Sequence, residues 1–110
     1  EKNIMATGIL GTADLAAATD TTLYTVPADT FSVVTVNICN RSSSAATVRI
    51  AVSSSGTPAD SDYIEYDSQV TANGVLERTG IVLDASKVVV VRSNAINVSA
   101  VCLGIETSTA

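Results

Sequence analysis

The chain has 110 residues and a formal net charge of −5 from 6 basic and 11 acidic side chains; 46% of its residues are hydrophobic, 4% aromatic, and it contains neither His nor Trp. Without His there is no imidazole base, no Ser–His or Cys–His dyad and no His-ligated zinc, and six scattered cations cannot neutralise a run of phosphates, which argues against nucleic acid as a partner. The length is that of one domain, and apolar runs such as Val88 to Val91 fall far short of the roughly 20 residues that a membrane-spanning helix needs.

Fifteen Val, 15 Ala, 14 Thr and 13 Ser make up just over half the chain. The dominant signal is period-two alternation in short runs between turn residues. Met5-Ala6-Thr7-Gly8 would be a natural start, and Glu1-Lys2-Asn3-Ile4 leads into no apolar run long enough for a secretory signal. Ile4 to Leu10 is a weak strand broken by Gly8, and Gly11 to Asp20 reads as an extended stretch or one short turn. Residues 1–20 are therefore expected to form an N-terminal arm, and residues 21–110 a single sandwich domain. The arm is expected to lie over a neighbouring molecule by strand addition, and its deletion to leave the sandwich folded.

Thr22 to Val26 alternates and stops at Pro27, with Ala28-Asp29 as the turn. Phe31 to Asn40 is the clearest strand, with Val34, Val36 and Ile38 on one face and Val33, Thr35, Asn37 and Cys39 on the other. Arg41 to Ala45 leads to Ala46–Ser53, with Val48, Ile50 and Val52 inward and Thr47, Arg49 and Ala51 outward. These two strands are expected to form an antiparallel hairpin. Ser54 to Asp62 is a loop, Tyr63 to Asp67 a short strand, and Asn73-Gly74 a turn suited to positive φ.

Val75 to Leu83 is a strand whose alternation should shift through a bulge at Gly80. Asp84-Ala85-Ser86 turns the chain into Lys87 to Ser93, apolar on both faces, where Lys87 and Arg92 would discourage stray pairing if the strand were an edge. Ile96 to Ile105 closes the chain, with an inward phase expected to switch near Ala100, from Ile96/Val98 to Val101/Leu103/Ile105. Seven to eight strands and no helix predict an all-β fold, an antiparallel β-sandwich or jelly-roll-like barrel.

Few residues suggest chemistry. Asp60, Asp62, Glu65 and Asp67 crowd one loop with hard oxygen ligands that could hold calcium, but they lack EF-hand spacing, and a solvated acidic loop is the simpler reading. Asp62 and Glu65 as a glycosidase pair lack a framed sugar site. Tyr24, Tyr63 and Tyr66 could form a carbohydrate platform; the plainer expectation is rings packed on the core with wet hydroxyls. Arg41, beside Asn40 at the end of the strongest strand, could clamp a carboxylate. Glu77 and Arg78 face opposite sides of their strand, so each needs a partner elsewhere. Cys39 and Cys102 are expected to be buried thiols, bonded only if their strands adjoin with Cα atoms within about 7 Å. There is no Gly-x-Ser-x-Gly elbow, and Gly8-Ile9-Leu10-Gly11 lacks the Lys of a phosphate loop. No catalytic, cofactor-binding or metal residue is assigned, and the chain is not expected to be an enzyme.

Several short motifs follow one another along the chain. They are Thr22-Leu23-Tyr24-Thr25-Val26-Pro27-Ala28, Val36-Asn37-Ile38-Cys39-Asn40-Arg41, the strand Ala46 to Val52, Tyr63-Ile64-Glu65-Tyr66, Leu76-Glu77-Arg78-Thr79-Gly80-Ile81 and Gly104-Ile105-Glu106. With the opening Met5 to Leu10, they resemble a module found in tailed-bacteriophage virion proteins, over residues 5–106. The resemblance implies a β-sandwich built into a virion without catalysis or cofactor, either a capsid decoration (cement) protein or a tail or fibre component. It also implies homo-oligomers, often trimers, with the major capsid protein or tail proteins as further partners; that neither nucleic acid nor membrane is expected follows from the charge balance and the short apolar runs. A stand-alone sandwich without a fibre's repeats fits surface decoration of the capsid, the protein being made in the host cytoplasm. The alternative is a receptor- or carbohydrate-binding module of a tail fibre.

Overall fold

The computed structural model describes residues 6–110. Eight strands follow one another: β1 (Thr7–Leu15), β2 (Thr21–Thr25), β3 (Thr30–Asn40), β4 (Ala46–Ser53), β5 (Tyr63–Val70), β6 (Val75–Leu83), β7 (Val88–Ser93) and β8 (Val98–Ser108). The only helical element among the described residues is a 3₁₀ turn at Asp60–Asp62. The strands form two four-stranded antiparallel sheets, ordered β1-β8-β3-β6 and β2-β7-β4-β5.

The order follows one rule. The first strand pairs with the eighth, the second with the seventh, the third with the sixth and the fourth with the fifth. The chain is thus a long antiparallel ribbon wound into two layers, which is the jelly-roll arrangement. It changes sheet at every connection except β4 to β5. The expected β3–β4 hairpin is therefore corrected: the two strands lie in opposite sheets and face each other across the core. Asn40 makes the crossing, because its fully buried amide nitrogen donates to the carbonyl oxygens of Ser44, Val70 and Thr71 and ties both crossing loops together.

Alternation fills the core. Val34, Val36 and Ile38 of β3, Val48 and Ile50 of β4, Val89 and Val91 of β7, and Val98, Ala100 and Cys102 of β8 form one buried cluster. The valine run is not an edge: β7 lies between β2 and β4. Its Val88 and Val90 instead join Ala51 in a small cluster on the outside of their sheet, covered by Tyr63. The inward phase of β8 does not switch. Val98, Ala100, Cys102 and Glu106 are buried while Ile105 is exposed, and Ile96 lies exposed before the strand begins.

The described part of the expected arm is a strand of the sandwich. β1 pairs with β8 from Thr7 to Leu15, and Leu15 is buried in the core. Gly11 lets β1 pass over β2, since a Cβ there would meet the Leu23 carbonyl oxygen at 2.0 Å. Residues 1–5 lie outside the described residues.

Every edge strand carries a register shift: β1 at Leu10, β2 at Leu23, β5 opposite Arg49, and β6 at Thr79-Gly80. Gly80 takes φ +69, which suits the expected bulge. The central ladders β3–β8 and β4–β7 run without a shift. Bulges at edges frustrate pairing with further strands.

Candidate functional site

The outward side chains of the β1-β8-β3-β6 sheet line up in rows set by register. Thr7, Ile105, Val33 and Val82 form one row across all four strands. Ile9, Leu103 and Thr35 form the next, and Phe31 stands opposite Thr107 at the end of the sheet. Val82 is 69% exposed, Ile9 67%, Ile105 55% and Val33 42%. Of the eight exposed large apolar side chains among the described residues, six (Ile9, Phe31, Val33, Val75, Val82 and Ile105) share this face. The first two rows contain no charged residue; Glu77 and Asp14 stand further along, and Asp84 lies just beyond the end of β6. Single exposed apolar residues are ordinary, whereas a contiguous patch marks a contact surface. On the same face, Asn37 Oδ1 is the one buried side-chain oxygen among the described residues without a hydrogen-bond partner.

The outer face of the other sheet is polar. Arg49 on β4 lies directly opposite Arg92 on β7, a like-charge pair that would destabilise the ladder if left alone. Asp67, held at φ 51 in the β5 bulge, accepts hydrogen bonds from Arg49 Nε at 2.7 Å and Nη2 at 3.3 Å. Arg92 Nη1 reaches Asp20 at 3.4 Å. The Arg49 guanidinium beside Asp67 holds its carboxyl below the usual carboxylate range. The same guanidinium lies 4.1 Å from the ring centroid of Tyr66, and Tyr66 meets Tyr63 edge-to-face at 5.0 Å. Thr47, Asn94 and Ala18 complete a shallow cavity of about 250 Å³ with Arg49, Asp67 and Arg92. An exposed aromatic ring next to guanidinium, amide and hydroxyl groups suits a ligand rich in hydroxyls.

Most of the remaining candidates are occupied by structural partners. Tyr24 is buried; its hydroxyl lies 2.7 Å from Ser32 Oγ and donates to Glu106 Oε2 at 2.6 Å, linking the two sheets. It is therefore neither part of a platform nor wet, and burial followed by the Glu106 hydrogen bond pushes its pKa up to about 12. Of the four clustered carboxylates, Asp62 accepts the Ala59 N–H, Glu65 pairs with Arg78 and Asp67 with Arg49. Among the described residues no three His, Cys, Asp or Glu side chains converge. Arg78 also donates to the Ile64 carbonyl, so it closes the open side between β6 and β5. Ser68, then burial and Arg78, act on Glu65, with the net effect of lowering its pKa. Beside Arg78, the Gly80 bulge and Val52, Ile64 and Ile81 line a cleft of about 330 Å³. Arg41 Nη2 donates one hydrogen bond to Asp14 Oδ1 of β1 at 2.5 Å, a single exposed contact and not a two-pronged clamp.

Cys39 and Cys102 are free and sit on adjacent strands but opposite faces, so the expectation of two buried thiols holds for Cys102 alone. The apolar face was missed because the expected phase switch placed Leu103 and Ile105 inside. The outward phase of Val33 together with Val82 beyond the bulge was the available signal. No family model matches the chain, and no curated protein matches it.

Proposed function

We propose that this chain is a non-enzymatic structural protein that acts through surface contact, and that it is a virion component decorating and stabilising a phage capsid. The observation that carries the contact reading is the uncharged apolar face around Val33, Val82 and Ile105. The virion assignment rests on the motif resemblance over residues 5–106. Jelly rolls also serve as viral capsid domains, which adds support by fold analogy only. Mass spectrometry and immunogold labelling of purified virions test the assignment. Label over the capsid is the expected result. Absence of the protein from virions overturns the assignment.

A second reading, a receptor- or carbohydrate-binding module of a tail or fibre, is favoured by the Tyr63–Tyr66 pair beside the Arg49 cavity. Under it, label falls on the tail and glycan-array binding is lost in Tyr66→Ala.

A further inference from the structure

We infer that the outer face of the β1-β8-β3-β6 sheet is covered by a second copy of this chain, packed face to face. The inference rests on the reading of that face as a contact surface and names its occupant. Four observations point to a copy of the chain itself.

The patch is centred on the two middle strands, where Val33 and Ile105 are register partners. A two-fold axis between those strands lays each copy's Ile105 against the other's Val33, so the surface is complementary to itself. The chain carries a net charge of −5, which makes copies repel. The rows through Ile105 and Leu103 carry no charge, so they are where two copies can approach without burying an unpaired ion. The exposures of Ile9, Phe31, Val33, Val82 and Ile105 leave roughly 500 Å² of apolar surface, at the upper end for a monomer. Two such faces together remove about 1,000 Å², the size at which specific interfaces begin. Finally, all four edge strands are bulged, which disfavours joining copies edge to edge.

The pairing is isologous and of modest area, so a dimer with a dissociation constant on the order of micromolar is expected. Sedimentation equilibrium of the full chain across a concentration series tests it. Both Ile105→Lys and Val82→Lys place a charge on exposed, outward positions and should weaken association about 100-fold or more while leaving the melting profile cooperative. Tyr66→Lys, on the opposite face, should leave it unchanged. Added salt should not weaken the dimer, because apolar contact is not screened.

The inference is overturned by a wild-type chain that stays monomeric at about 1 mM, by a trimer that survives Ile105→Lys, or by association that Tyr66→Lys or salt abolishes. If the chain is monomeric and Ile105→Lys also loses capsid binding, the face belongs to a capsid partner: the inference fails and the proposed function stands. If the dimer forms as expected but the protein is absent from virions, the inference stands and the virion assignment fails.

Discussion

Asn40 ends β3 fully buried, with its amide nitrogen shared among three carbonyl oxygens and its own oxygen accepting from the Ser42 amide and hydroxyl. Removing it leaves Ser44 O only the Ser42 hydroxyl and Thr71 O only the Gly74 amide, takes the side-chain donor from Val70 O and strips the Ser42 amide of its acceptor, and a buried polar group left unsatisfied costs about 1–3 kcal/mol. Asn40→Ala should therefore lower stability by about 2–4 kcal/mol, read as a fall in the urea midpoint without a change in slope. Tyr24 makes a pH prediction. Its folded-state pKa is pushed up to about 12 from 10.0 and that of Cys102 to about 11 from 9.0, both chiefly by burial. On raising the pH the unfolded chain therefore loses these protons first, and the folded state holds more of them. Stability is complete below about pH 9 and falls through the interval up to about pH 12. Denaturation at a series of pH values checks this, and Tyr24→Phe should flatten the loss above pH 10 while costing about 1–3 kcal/mol at neutral pH. Asn40 at a strand end was visible in the sequence. The partnership of Tyr24 with Glu106, 82 residues away, was not, because a hydroxyl's partner is set by winding and not by local pattern.

The strands show which features a periodic pattern can encode. The bulge in β6 was legible because Gly80 interrupts an otherwise regular alternation, and it does take φ +69 there. Gly80→Val should cost about 1–3 kcal/mol through strain at that backbone angle, even though nothing crowds the added carbon. The β3–β4 pairing was misread because alternation reports which face is buried and says nothing about which strand lies alongside. β1 was misread because this edge strand is interrupted by Gly8 and Gly11, leaves Ile9 exposed and fully buries one large side chain, Leu15, and so carries little regular apolar alternation. Arg78 and Glu65 join the two edges β6 and β5 across the sandwich, an ion pair supported by the Ser68 hydroxyl. The Glu65 carboxyl is held below its usual range, first by Ser68 and also by Arg78. The stabilisation is therefore present above the ordinary carboxylate pKa and lost as pH falls through the lowered value. Acid unfolding should begin later in the wild type than in Ser68→Ala, whose Glu65 lacks its largest source of support. Coincident acid transitions in the two proteins would show that the bond contributes nothing.

The winding of the whole ribbon decides how the molecule tolerates loss of an end. The first strand pairs with the last and lies beside the second, so β1 closes the β1-β8-β3-β6 sheet rather than hanging from it. Long-range closure of this kind makes folding slow, on the order of milliseconds to seconds for non-local all-β domains. It also sets the outcome of deleting residues 1–20. The deletion removes the buried Leu15 side chain and the partly buried Leu10 and Ala13 that pack on the core. It takes Arg41's partner Asp14 and uncovers β8, whose remaining ladder with β3 has no bulge along its length. A long, regular, uncovered strand invites pairing with another chain. The truncated protein should thus melt at least about 10 °C lower, given that one large buried side chain alone is worth about 2–5 kcal/mol and 1 kcal/mol shifts a domain of this size by about 4–8 °C. It should also aggregate in proportion to concentration, as light scattering during the melt would record. A truncated chain that does not aggregate and unfolds cooperatively near the wild-type temperature would show that seven strands suffice and that the N-terminal segment is free to serve another molecule.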